Sequence, residues 1–387
     1  MRAVFYRSVL YARQMVCRGE VLLQLSDINM QYQIFQLSAE PKGSFIARLD
    51  GLLCRLESLV ESAANPLLRV VWSRVFLSDA ANQLEQLQSH PLYIRLLSQG
   101  AFSYVEQVPL DGSKVSLMVC LTSDEVVMEG TPDHCVISCN GVRHYWQSVR
   151  FTADESASLS AREQTEEAFN RHIGWLRSHG LNLKDHCVRT WLFVRDVDRH
   201  YQDVVVGRNE VFAREGLTTD THYIASTGIA GNGDNGHELV AVDFWSVDAP
   251  AMTQQYLQAL DYLNPTHEYG VAFERGTSLH FPERSVHLIS GTASIDKHGH
   301  CIYVGDVLKQ ADRLFENISQ LLADGKATLN DVDFMIVYLR DISDADSVNR
   351  YLAERFPNVP KVLVWAPVCR PQWLIEVECV ASVSHGC

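Results

Sequence analysis

The 387-residue sequence has no excess of basic residues: 33 Lys and Arg stand against 47 Asp and Glu, a formal net charge of -14. That balance argues against nucleic acid or an anionic membrane surface as a partner. No apolar run approaches the ~20 residues that a membrane-spanning helix requires. The opening stretch MRAVFYRSVLYARQMVCRGE is apolar and basic, but Arg7 and Arg13 interrupt it, so it does not read as a signal peptide. Ten cysteines are scattered without framework spacing, and no histidine follows Cys135 and Cys139 at zinc spacing. His134, His144, His172, His179 and His186 share no metal spacing either. The expectation is reduced thiols in a cytoplasmic protein with no metal. The stretch Gly228-Ile229-Ala230-Gly231-Asn232-Gly233 imitates a dinucleotide loop, but no helix follows it, so it reads as a flexible hairpin. Asp296-Lys297-His298-Gly299-His300 reads as a hairpin turn.

What is present is an internal repeat. Residues 68–79 read LRVVWSRVFLSD, residues 188–196 VRTWLFVRD and residues 334–341 FMIVYLRD. Each is a β-branched and aromatic strand that ends in Asp. Each follows a stretch with apolar residues at helical spacing: residues 52–64, 161–179 and 307–323. Each is followed by a second amphipathic stretch, residues 80–96, 199–215 and 344–356, and then by a last strand, residues 115–121, 239–244 and 374–381. The chain therefore divides into three units, residues 1–125, 126–250 and 251–387. One such unit is small for a core of its own, and three can pack about a pseudo-threefold axis. The expected fold is α/β: a pseudo-threefold barrel with helices outside, last strands inside and ligand clefts between units. Because the chain holds its own trimer, a monomer is expected.

The last strand carries the most informative pattern. In Trp373-Leu374-Ile375-Glu376-Val377-Glu378-Cys379-Val380-Ala381, alternation puts Ile375, Val377 and Cys379 on one face and Glu376 and Glu378 on the other. An acid on a covered face, beside a second acid, has a raised pKa and can keep a proton at neutral pH, as a general acid must. The alternative is an edge strand with both glutamates in water. Aligning the three last strands sets Ser116 and Ala241 opposite Glu376, so one cleft has the acid and two do not.

The third unit, from SGTASI at Ser290 through VYLRD to CRPQWLIEVECVA, resembles the RidA (YjgF-type) reactive-intermediate deaminases, which form homotrimers with clefts between subunits. Lys361 falls near the position where RidA proteins carry a carboxylate-binding Arg, which weighs against plain imine deaminase activity. The whole chain more closely resembles the chorismatases, single chains like a fused RidA trimer. The matching stretches are RTW at Arg189–Trp191, Gly207-Arg208, Tyr269-Gly270, FERG at Phe273–Gly276, SGTASI, Gly305-Asp306 and the CR of Cys369-Arg370. The first 125 residues match only through the repeat.

This resemblance implies cleavage of chorismate to pyruvate plus a dihydroxycyclohexadiene acid or a hydroxybenzoate, with no metal and no organic cofactor. Chorismate is a dianion, and Arg is the fork suited to its carboxylates. Arg189, Arg275 and Arg370 are the candidates; for Arg189, inside an apolar strand, the alternative is a structural ion pair. Glu376 is the expected acid and Glu378 a hydrogen-bond acceptor. Tyr269 is expected to bond a substrate carboxylate or the ring hydroxyl, or else to pack as an aromatic. Cys369 is expected to shape the pocket near the ring. Gly276 and Cys369 together look like the branch that forms 3-hydroxybenzoate. A chorismate hydrolase giving the diol, a RidA-like imine hydrolase and a non-enzymatic carboxylate-binding protein are the other readings.

Overall fold

The computed structural model describes residues 23–24, 32–62, 69–122 and 125–385, so the opening stretch read above lies outside the described residues. Three mixed sheets share one strand order. In each, a leading strand pairs antiparallel with a closing strand, the closing strand pairs antiparallel with a middle strand, and the middle strand pairs parallel with an edge strand. In the first sheet these are Tyr32–Ser38, Val115–Thr122, Arg69–Leu77 and Ala101–Glu106. In the second they are Val142–Val149, Val240–Asp248, Cys187–Val194 and Ala225–Ala230. In the third they are Arg284–Ala293, Ile375–Ser384, Val332–Leu339 and Lys361–Trp365. Further strands extend the outer edges, and Val108–Pro109, from between the last strands of the first sheet, pairs with Lys361–Trp365 of the third.

A first helix precedes each middle strand: Phe45–Ser62, Ala161–Ser178 and Val307–Asp324. A second helical segment links each middle strand to its parallel edge, as a parallel crossover requires: Ala80–Gln88, Val197–Arg214 and Ala345–Arg355. The repeated Asp marks the start of that segment. Asp79 accepts a hydrogen bond from the Asn82 amide and Asp341 from the Ser343 amide, satisfying donors that the new turn leaves open. Asp196 holds the same place with a left-handed backbone (φ 47). In the first unit Pro91 begins a separate short helix, Pro91–Arg95, so the stretch read as one element is two.

The edge strands correct the sequence reading. Ala225–Ala230 is not part of a hairpin but a parallel strand along Cys187–Val194, and the glycine-rich run begins within it. The turn at residues 296–300 is as read: Ile295 bridges Cys301, and Gly299 supplies a positive φ of 78.

Each sheet buries two faces. Beneath the third sheet, Leu314, Phe315, Ile318 and Leu322 of the helix Val307–Asp324 pack on Val337, Val377 and Cys379. The opposite faces of the sheets meet in one apolar cluster holding Trp72 and Phe76 from the first, Trp191 and Phe193 from the second, and Phe334 and Tyr338 from the third. Alternation on Ile375–Ser384 therefore points Glu376 and Glu378 away from the helix and toward the second sheet, both nearly inaccessible at 4% and 3% exposure. Among the described residues the cysteines form no disulfide, no group of His, Cys, Asp and Glu is placed to hold a metal ion, and no helix is long and apolar enough to cross a membrane.

Candidate active site

The third sheet's closing strand meets a local irregularity. Its pairing with Arg284–Ala293 runs in register to Ile289 and resumes at Thr292, so Ser290 and Gly291 form a bulge beside Glu376. This is the physical content of the SGT stretch. A Cβ on Gly291 would overlap Oε1 of Glu376, so glycine is what leaves the carboxyl its place. The second sheet's edge strand is stitched to the bulge: the Ser226 amide donates to Ser290 Oγ (2.9 Å) and the Gly291 amide to Thr227 Oγ1 (3.0 Å).

The two acids are treated differently. Glu378 accepts from Arg189 Nη2 at 2.7 Å, from Trp191 Nε1 at 2.7 Å and from the Thr227 hydroxyl. Among the described residues Glu376 has no such set of donors. Burial, then the neighbouring Glu378, push its carboxyl up to about 8, against the pull of Arg189 and Arg275. Glu376 therefore holds its proton at neutral pH.

Glu376 lies in a cleft of about 510 Å³ between the second and third sheets. Tyr201 and Arg208 of the helix Val197–Arg214, and Ser226, Thr227 and Gly228 of the edge strand, form one wall. Val271, Phe273, Arg275, Gly291, Ala293, Ile295, Cys369, Arg370 and Trp373 form the other. Arg275 is buried and donates to Asn264 O at 3.1 Å, whereas Arg370 is exposed at the mouth. The Cys369 thiol is in hydrogen-bond contact with the Tyr201 hydroxyl. Burial, then Glu376, push this thiol up to about 12, so it is a neutral group rather than a thiolate nucleophile. Gly228 leaves room for the Tyr201 ring, which a Cβ there would meet at 2.8 Å.

Of the residues singled out from sequence, Glu376, Cys369, Arg275 and Arg370 come together in this cleft. Arg189 does not line it: its guanidinium is bound to Glu378, Thr227 and Ser290, which is the structural ion pair rather than the substrate clamp. Gly276 is also placed elsewhere. It opens the strand Gly276–His280, and a Cβ on it would press on Leu257 and Ile289 of the third unit's core at 3.1 and 3.2 Å. Tyr269 ends the short turn Thr266–Tyr269, and its side chain lies outside the described residues. Sequence reasoning did not single out Arg208, Tyr201 or Thr227. Only the Gly207-Arg208 pair carried a signal: a Cβ at Gly207 would overlap the carbonyl of Arg162, so glycine lets the two helices approach.

The junction of the first and second sheets is built otherwise. Asp243, the register counterpart of Glu378, binds Arg74 (2.8 Å) and Arg150 (2.9 Å) and accepts from the Ser103 hydroxyl, all buried or nearly so. The counterparts of Glu376 are Ala241 and Ser116, as the register of all three closing strands shows.

A model of the family Endoribonuclease L-PSP matches residues 280–383. The 3-aminoacrylate deaminase RutC of Acinetobacter baylyi is 32% identical over 97 residues, 24% of this chain and 77% of that protein. The chain belongs to the RutC family. Within it, the chain has the three-unit form of the chorismatase fold. A crystal structure of chorismatase superposes with a TM-score of 0.66 over 92% of this chain and 100% of that one, at 19% identity. The chorismatase of Streptomyces hygroscopicus is 27% identical over 207 residues, 49% of this chain and 60% of that protein. This RutC-family chain thus has the fold of a chorismatase, and the family model covers only its third unit.

Proposed function

We propose that the chain cleaves the enolpyruvyl ether of chorismate, with pyruvate and 3-hydroxybenzoate as main products. The observation that carries this reading is Glu376, a carboxylic acid kept protonated up to about pH 8 and set in a cleft with Arg275 and Arg370. The arginines suit the two carboxylates of the substrate, and Phe273 and Trp373 suit its ring. Glu376 gives its proton to the enol-ether methylene, which becomes a methyl group as the adjacent carbon becomes an oxocarbenium ion. The ring 4-oxygen then attacks C3 as the C3–O bond to pyruvate breaks, its proton returning to the Glu376 carboxylate. The resulting arene oxide opens at its C4–O bond and loses the C3 hydrogen to C4 or solvent to give 3-hydroxybenzoate. Attack of water on the oxocarbenium carbon instead releases pyruvate and the non-aromatic diol. Cys369, which lines the cleft, holds the place that in the chorismatase resemblance goes with the first branch. Gly276 acts on that choice only through the backbone it shares with Arg275. Incubation with chorismate followed by mass spectrometry tests the proposal: pyruvate with 3-hydroxybenzoate is expected, and unchanged chorismate overturns it.

A RidA-like imine hydrolase is the second reading, favoured by the match to a protein named 3-aminoacrylate deaminase. The register speaks against it. Lys361, near the family's carboxylate-binding Arg, donates to Phe356 O and Val359 O, and its counterpart at the Glu376 cleft is Ser226. Ammonia released from a dehydroamino acid would support this reading. We take the units to be residues 1–125, 126–250 and 251–387 about a pseudo-threefold axis, in a monomer acting in the cytoplasm without a cofactor.

A further inference from the structure

A second cavity lies between the three sheets and shares no lining residue with the Glu376 cleft. Its wall is mostly apolar and comes from every unit: Trp72 from the first, Trp146 and Trp245 from the second, Phe281 and Leu288 from the third. Flat faces dominate it. Trp146 stacks on Trp245 with ring centres 4.8 Å apart and planes at 9°.

Two cations reach this wall. Arg189 is neutralised by Glu378. Arg284 is not matched in that way. It is buried, 4.8 Å over the ring of Tyr32, and its Nε meets no acceptor among the described residues. Asp333, the acid that acts on it, accepts from Ser382 and is pushed up to about 7 by burial, so it is a weak counter-ion at neutral pH. His144 stands within the field of Arg284; burial, then that charge, push it down to about 4. Its Nδ1 accepts from Trp245 Nε1 at 3.2 Å, which leaves the ring's one proton on Nε2 as a second donor. A buried guanidinium without a full counter-charge is costly, and an apolar occupant would leave that cost in place. An anion with a flat apolar body removes it and fills the space that the indoles line.

We propose that this cavity is a second ligand site, for a planar aromatic carboxylate whose ring packs against Trp146 and Trp245 and whose carboxylate pairs with Arg284. The site is independent of the proposed reaction. The test is calorimetric titration of the full chain with 2-naphthoate. One saturable site is expected, weakened at least tenfold in Arg284→Met, abolished in Leu288→Trp, which fills the space, and kept within twofold in Arg370→Ala, at the mouth of the other cleft. On the parent protein 2-naphthalenemethanol, which lacks the charge, is expected to bind at least tenfold more weakly, a comparison that holds even if a variant fails to fold. The absence of saturable binding, equal affinity for the neutral analogue, or loss of binding in Arg370→Ala with Arg284→Met unchanged would each overturn the site.

Discussion

Gly291 stands where any side chain would collide with Oε1 of Glu376. The bulge and the acid are therefore one device: the extra residue in the leading strand opens the space, and the absence of a Cβ keeps it open. Gly291→Ala should displace the carboxyl and crowd Thr227 as well, whose Cγ2 would be 3.1 Å from the new atom. The expected outcome is a loss of turnover of at least tenfold and a loss of stability of about 1–3 kcal/mol, the usual range for overpacking. Steady-state kinetics and denaturant melts check both.

Glu376→Gln keeps the shape and removes the proton. Turnover of chorismate should fall by about 10²–10⁴, the range for losing a general acid, with substrate binding largely retained. Near-normal turnover would remove Glu376 from the mechanism.

The raised carboxyl sets a pH dependence. In the proposed mechanism turnover requires the protonated acid, so the rate should be full below and lost above about pH 8. Stability follows the same sign. The unfolded chain's glutamate titrates near 4.3, so between that value and about 8 the folded state holds the extra proton. Raising the pH through this window should destabilise the parent protein but not Glu376→Gln, apart from groups common to both. Melting temperatures across pH 5–9 measure the difference.

Arg189→Ala should act on the fold rather than on binding. It strands Glu378 without its guanidinium, and breaking such a buried pair costs about 3–5 kcal/mol. Weakened chorismate binding in a variant of parental stability would return Arg189 to the substrate.

The parent's main product should be 3-hydroxybenzoate, and Gly276→Ala should move the ratio toward the diol. Because the added methyl presses on Leu257 and Ile289 behind Arg275, the change should come with a measurable loss of stability. A parent mixture dominated by the dihydroxycyclohexadiene acid would refute the branch while leaving chorismate cleavage in place.

Local pattern reached part of this site. The alternation around Glu376 shows which face it takes, and three Asp-ended strands give the repeat, because period and capping are properties of neighbouring residues. The edge strand Ala225–Ala230 escaped because ASTGIA has neither alternation nor β-branched density; it is held by parallel pairing to Cys187–Val194. Tyr201 and Thr227 escaped for a different reason. Their contact with Glu376 and Cys369 spans some 150 residues and exists only once the second and third sheets meet. A longer separation, 189 residues, hid the partner of Arg189. The sequence shows a charge in an apolar strand, and only the packing shows that Glu378, not a ligand, answers it.

In an assembly of identical chains every substitution is made at all copies at once. Here the copies are covalently joined, and equivalent positions differ: where the third closing strand carries Glu378 beside Glu376, the second carries Asp243 as a clasp for Arg74 and Arg150. One junction can thus be locked by ion pairs while another stays open as a cleft, a difference that strict symmetry forbids.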